Sequence, residues 1–211
     1  MDKEQTGQPK VTEETKKPGF LYDIYSLLHD LVYILAAITL VFVFCVRLVG
    51  VNGDSMLPTL HNGDYLALQS NVIMGDLKPG DIIVARKLSF ENGEPIVKRV
   101  IATEGQTVDI RYDESGYGTV YVDGEPIDEP YIREAMLPAY SGSNATPLPL
   151  TVEEGCVFVM GDNRNDSSDS RRASIGQIHL DQVLGKVLII VFPGEDPATG
   201  ERDFSRFGTV S

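Results

Sequence analysis

A long run of uncharged residues near the start constrains this chain more than any other feature. Leu31 to Val46 reads LVYILAAITLVFVFCV, 16 residues without a charge. As a helix it covers roughly 24 Å at 1.5 Å per residue, short of the ~30 Å hydrocarbon core of a bilayer. Arg47 interrupts the run, but Leu48, Val49 and Val51 continue it. An arginine near a helix end can carry its charge back to the headgroups. Residues 31–51 together span about 31 Å, enough to cross. The run is apolar on every face, which argues against a helix half-buried in a soluble core. Thirty mostly polar residues precede it and no small-x-small site follows closely, which argues against a cleavable leader. Residues 31–51 are therefore expected to form a single-pass transmembrane anchor, and Tyr22–His29 can begin its helix early. Lys16 and Lys17 favour a cytoplasmic tail over residues 1–30, although six acidic residues accompany the four lysines there. Residues 52–211 would then lie on the extracytoplasmic side of the cell membrane.

Charge narrows the partners of the remainder. Residues 51–211 carry 13 basic against 25 acidic side chains, most of the net charge of −13. Such a field repels phosphate backbones, so no nucleic acid partner is expected. The acidity itself is read as an aid to solubility. Cys45 sits in the apolar run and Cys156 in a soluble stretch, so no disulfide is expected. His29, His61 and His179 are widely separated, and no cluster of ligands suggests a metal or other cofactor.

After the anchor the apolar stretches are short. Tyr65–Leu68, Asp81–Ala85, Ile96–Ala102, Val108–Arg111, Thr119–Val122, Cys156–Met160 and Val183–Val191 read as strands. Turn formers such as Asn62-Gly63-Asp64, Lys78-Pro79-Gly80-Asp81 and Asp123-Gly124 punctuate them. No long amphipathic helix follows residue 51, so a mostly β domain is expected over 52–211, with 109–150 as a smaller inserted lobe. Residues 138–150 read as a Pro/Ser-rich loop, residues 1–19 as a disordered tail and the chain from Gly194 as irregular.

Three segments carry the chemistry. Gly53-Asp54-Ser55-Met56-Leu57-Pro58 places a serine in a Gly-rich turn directly after the anchor. Alone this is ordinary turn chemistry. Ile96-Val97-Lys98-Arg99-Val100-Ile101 puts Lys98 on one strand face with Ile96 and Val100, and Arg99 on the other with Val97 and Ile101. Alternation does not choose the buried side. Chemistry distinguishes the two, because lysine can lose its proton and arginine cannot. Desolvation would favour the neutral amine and make Lys98 a base. The third segment, Gly161-Asp162-Asn163-Arg164-Asn165-Asp166-Ser167-Ser168-Asp169-Ser170-Arg171, is dense in turn formers and opposite charges, and alone reads as a polar surface loop.

Taken together, in this order and behind an anchor, the segments resemble type I signal peptidase of the Gram-positive kind. GDSMLPTL is similar to the family's nucleophile box, Lys98-Arg99-Val100-Ile101 to its lysine box and GDNRNDSSDSR to its last box. Asn62-Gly63-Asp64-Tyr65, Pro79-Gly80-Asp81 and Glu129-Pro130-Tyr131 match segments between them. The resemblance implies a signal-peptidase-type fold of antiparallel sheets after one N-terminal transmembrane helix. It implies Ser55 as nucleophile, Lys98 as general base and Ser167 as the hydroxyl that orients the lysine. Asp169 with Arg171 would form an ion pair behind the site, and Asp162 and Arg164 would shape the same loop. The backbone N–H of Ser55 would hold the oxyanion, with Gly53 where some members carry a serine. Met56 and Pro58 would flank the substrate, and Met56 and Leu57 would either reach the headgroups or pack in the core. Substrates would be signal-peptide-bearing preproteins with small residues at the first and third positions before the cut, and no cofactor is implied.

Two other readings share parts of this pattern. A self-cleaving repressor-type protease uses Ser and Lys on a β core, but such proteins are soluble and carry a DNA-binding part. An idle anchored binding domain would not need both Ser55 and Lys98.

Overall fold

A computed structural model of the chain describes residues 19–88, 90 and 93–210. The expectations for the tail fall almost wholly outside these residues. The chain divides into residues 1–40 and 41–211.

The apolar run forms a helix, α1 (Phe20–Cys45), with Asp23 in its first turn, where a negative charge complements the positive end of the helix dipole. Phe20–Val41 is long and apolar enough to cross a membrane. Its described large apolar side chains, Leu27, Val32 and Leu40 among them, are exposed rather than packed in protein. The helix differs from the expected anchor of 31–51 at both ends. The helix starts 11 residues earlier and stops at Cys45, and Val46–Gly50 is a strand. Val46 and Val49 are β-branched, and the segment meets an antiparallel partner, Val46 opposite Gln69 through Gly50 opposite Tyr65.

The regular structure of the remaining chain is almost entirely antiparallel sheet. Its strands are β1 (Val46–Gly50), β2 (Tyr65–Ser70), β3 (Ile82–Arg86), β4 (Pro95–Thr103), β5 (Thr107–Tyr112), β6 (Gly118–Val122), β7 (Glu125–Pro126), β8 (Leu150–Thr151), β9 (Cys156–Met160), β10 (Ile178–His179), β11 (Val183–Phe192) and β12 (Gly208–Thr209). One sheet runs β1-β2-β11-β3-β4-β9-β10, with β12 also on β11. A second sheet runs β7-β6-β5-β8 and lies within residues 107–151.

Burial explains the composition of the central strands. In β4 every residue from Ile96 to Ala102 is buried, and β9 is buried throughout. A strand covered on both faces needs apolar residues continuously rather than alternately. Ile83, Ile96, Val100, Val157 and Ile178 pack on one side, and Met56, Leu60, Leu66, Val84 and Val97 on another. Phe158, Met160 and Ile101 join Val108 and Val120 of the second sheet in a third cluster. Each fully buried side chain of this size contributes about 1.5–3 kcal/mol. Met56 and Leu57 are 1% and 5% exposed, which places both in the core rather than at headgroups.

The end of the chain departs from the irregular coil expected from Gly194. β12 pairs with β11, and Arg206 forms an ion pair with the wholly buried Asp64.

Candidate active site

The serine turn is closed at its base by backbone. Val51 N–H donates to Asp64 O and Gly63 N–H to Val51 O. Within the turn, Gly53 N–H donates to Asn62 Oδ1 at 3.1 Å, Leu57 N–H to Asp54 O and Leu60 N–H to Met56 O. Gly53 has φ of +95°, a left-handed conformation that strains any residue with a Cβ. That accounts physically for glycine two positions before Ser55. Met56 is buried beneath the turn, while Pro58 is exposed.

Lys98 reaches this turn from β4. Its Nζ donates to Ser55 Oγ at 2.6 Å and to Val97 O at 2.8 Å. The residue is 4% exposed. Arg99, its neighbour on the opposite strand face, is equally buried, so both faces are covered and only their contacts tell them apart. Arg99 forms a two-point ion pair with Asp162, Nε to Oδ1 at 2.8 Å and Nη2 to Oδ2 at 2.7 Å. Its guanidinium also lies 3.9 Å from the centre of the Tyr131 ring. A groove of about 590 Å³ opens over the pair, lined by Ser55, Met56, Ile96, Lys98, Asp166 and Ser168 among others.

The 161–171 segment is no surface loop. Asp162, Asn163, Arg164, Ser167, Asp169, Ser170 and Arg171 are all buried. Opposite charges make this tolerable, because each buried charge needs a partner and hydrogen bonds. Asp169 accepts from Arg171 Nε and Nη2, both at 2.8 Å, and from Gly161 N–H. Arg164 pairs with Glu129, which also accepts from Tyr131 Oη. Burial, then the Glu129 charge, pushes the Tyr131 phenol up to about 12, so it stays protonated and can donate. The segment grips the serine turn through Asn163, whose N–H donates to Ser55 O and whose Nδ2 donates to Asp54 O. Thr59 Oγ1 donates to Asp162 Oδ2.

Gly161 shows how closely these parts meet. A Cβ there would collide with Ser167 Oγ and with Ser55 O, so only glycine lets the segment approach the serine turn. The Ser167 hydroxyl is buried with no well-formed hydrogen bond, although it lies near enough to Asp169 to favour the ionised carboxylate.

Burial alone would raise the Asp169 carboxyl, but the Arg171 charge and hydrogen bonds and the Gly161 N–H outweigh it and hold it below its usual range. A folded value below the unfolded one stabilises the protein above the ordinary carboxylate range, near pH ~4, and the gain is lost as pH falls through the depressed value. Asp169→Asn is accordingly expected to lower stability at neutral pH by about 1–3 kcal/mol. It should also flatten the loss of stability below pH ~4. Urea unfolding across that range checks both, and an unchanged acid limb would remove Asp169 from the account.

The sequence reading identified Ser55, Lys98, Ser167, Asp162, Arg164, Asp169 and Arg171, and the fold brings all of them to one place. It gave no role to Arg99, Tyr131, Glu129, Thr59 or Asn163. One signal was available for Arg99: an arginine in an apolar strand cannot shed its charge and calls for a carboxylate.

Known proteins resemble this chain over about two thirds of its length. The family model described as "Signal peptidase, peptidase S26" matches residues 24–192. Signal peptidase I T of Bacillus subtilis (strain 168) is 38% identical over 151 residues, 68% of this chain and 72% of that protein. A probable signal peptidase I-1 of Synechocystis is 39% identical over 148 residues, 66% of this chain and 68% of its own length. A crystal structure of a signal peptidase I from Enterococcus faecalis V583 aligns at 29% identity with a TM-score of 0.40, covering 55% of this chain and 98% of that one.

Proposed function

The chain belongs to the signal peptidase family, peptidase S26, and from that premise we propose that it is a membrane-anchored serine endopeptidase in which Ser55 is the nucleophile and Lys98 the general base. The observation that carries the reading is the 2.6 Å approach of Lys98 Nζ to Ser55 Oγ, with Lys98 itself only 4% exposed. A serine hydroxyl attacks poorly until a base takes its proton. Burial disfavours the ammonium, so a neutral amine at this distance can accept that proton. Loss of the lysine proton reverses the hydrogen bond, with Oγ–H donating to Nζ.

In the proposed reaction Ser55 Oγ attacks the scissile carbonyl carbon as its proton passes to Lys98. The Ser55 N–H donates to the oxyanion of the tetrahedral intermediate. The intermediate collapses to an acyl-enzyme as the lysine ammonium gives its proton to the departing amine. Water, deprotonated by the same lysine, then releases the signal peptide. The 161–171 segment holds the serine turn through Asn163, and the Arg99–Asp162 pair holds that segment to the lysine strand. Signal-peptide-bearing preproteins, presented as extended segments with small residues at the first and third positions before the cut, are the substrates. α1 is proposed as a single-pass anchor in the cell membrane, with its N-terminus cytoplasmic and the β domain extracytoplasmic.

The test is a pH profile on a short Ala-x-Ala peptide. Protonated Lys98 is inactive in this reading, so the rate climbs with pH, and the rising limb lies well below the ~10.4 of free lysine. The limb is expected to persist in a His61→Gln, His179→Gln variant. Its disappearance there would make a histidine the base and overturn the dyad.

A further inference from the structure

The matched family region ends at residue 192, yet the chain beyond it reaches back to the serine turn. From Gly194 it forms a short hairpin in which Glu195 pairs with Arg202 and Asp196 N–H donates to Glu201 O. Arg202 fixes the base of this hairpin, donating to Pro193 O at 2.9 Å and lying 5.1 Å from the Phe192 ring centre. The Asp203 side chain caps the next turn by accepting from Ser205 N–H, and β12 docks on β11. Arg206 is thus held on both sides.

Its guanidinium spans two points of the serine turn. Nη1 and Nη2 donate to Asp64 Oδ1 and Oδ2 at 3.0 and 2.7 Å, and Nη2 donates to Thr59 O at 3.1 Å. Asp64 is wholly buried. It also accepts from His61 N–H at 2.8 Å and from Gly194 N–H at 2.6 Å. Three of the four donors that address this carboxylate therefore come from the C-terminal segment. Thr59 is gripped from two directions, its hydroxyl bonded to Asp162 and its carbonyl to Arg206.

We propose that Arg206 is a positioning residue for catalysis: the C-terminal segment clamps the far side of the serine turn, so that Ser55 is presented to Lys98 in one geometry. The inference rests on Ser55 and Lys98 being the catalytic pair. The 161–164 segment holds the turn at Asp54, Ser55 and Thr59, and Arg206 holds it at Thr59 and Asp64. Without the second hold the turn can pivot about the first. An error of about 1 Å in placing a nucleophile can cost roughly 100-fold in rate.

The experiment uses the full-length enzyme in detergent and an Ala-x-Ala peptide, with melting curves setting the assay temperature below each variant's transition. Arg206→Ala is expected to lower kcat roughly 10- to 100-fold with KM nearly unchanged, the pattern of an interaction lost in the transition state. Arg206→Lys recovers part of kcat, because it restores the charge without the two-point fork. The double variant Asp64→Asn, Arg206→Met removes both charges and leaves no buried ion unpaired. Its amide can accept from only one of the two backbone N–H groups at Asp64, so it is expected to recover part of the stability lost in Arg206→Ala while kcat stays low. If its kcat returns with its stability, Arg206 is structural only and the inference fails. If Arg206→Ala turns over like wild type, the inference fails while the Ser–Lys reading stands. A wild-type enzyme that leaves the peptide uncut overturns that reading and this inference with it.

Discussion

Ser55→Ala and Lys98→Met are each expected to lower turnover of an Ala-x-Ala peptide by roughly 10⁴-fold or more while leaving the melting curve nearly intact. Groups that act as a unit behave this way, because losing either member loses nearly the whole effect. Ser55 Oγ and Lys98 Nζ are 2.6 Å apart and are expected to form one unit, so the double variant should be little worse than either single one. Removing the Ser55 hydroxyl leaves a small void at the edge of an open groove, which costs little stability. Methionine fills most of the lysine's volume without a charge, so the strand stays packed. Peptide cleavage followed by mass identification of the cut bond checks the result. Turnover within ten-fold of wild type in either variant would end the dyad assignment.

Asp162→Ala is expected to destabilise the protein by about 3–5 kcal/mol, since it strands a buried cation. Arg99 is 3% exposed and donates both of its short charge-assisted bonds to this carboxylate. The face of Tyr131 offers the cation only a partial substitute, roughly 0.5–2 kcal/mol. The same change removes the acceptor of the Thr59 hydroxyl, so activity falls as well. Replacing the pair together, Arg99→Met with Asp162→Ala, should recover much of the stability, because well-packed apolar groups often match a buried ion pair. Urea unfolding of the three variants decides between this account and a surface-like pair, whose loss would cost at most about 1 kcal/mol.

Much of this architecture is legible in the sequence, and the failures have identifiable causes. Seven of the eight longer strands announce themselves as short apolar runs between Gly-, Pro- and Asn-containing turns. β7, β8, β10 and β12 have two residues each, too few for any period to show. β1 is hidden because Val46–Gly50 continues the apolar composition of the helix before it, and only pairing with β2 distinguishes the two. At the site, Asp169 and Arg171 are two residues apart, so their pairing could be anticipated from a local pattern. Asp162 with Arg99, Arg164 with Glu129 and Asp64 with Arg206 join residues far apart in the chain. Each of those carboxylates had several candidate cations, and only the fold selects among them. The burial of Arg99 beside Lys98 was equally closed to sequence, because alternation assumes one wet face and β4 has none.

The strand that sequence could not see governs how this enzyme can be handled in solution. β1 forms one border of the large sheet, and its removal would lay bare the backbone N–H and C=O groups of β2. Cutting the chain after residue 51, the boundary that composition suggests, discards β1 together with the helix. A naked β2 margin, bearing Leu66 and Leu68, would be a template for another copy to join, and precipitation would follow. A shorter truncation that begins at Val46 keeps the native border in place. It also retains the charge of Arg47 there, which discourages edge-to-edge assembly. Crystallisation and inhibitor screening are therefore better served by the longer soluble fragment, despite its more apolar first residues.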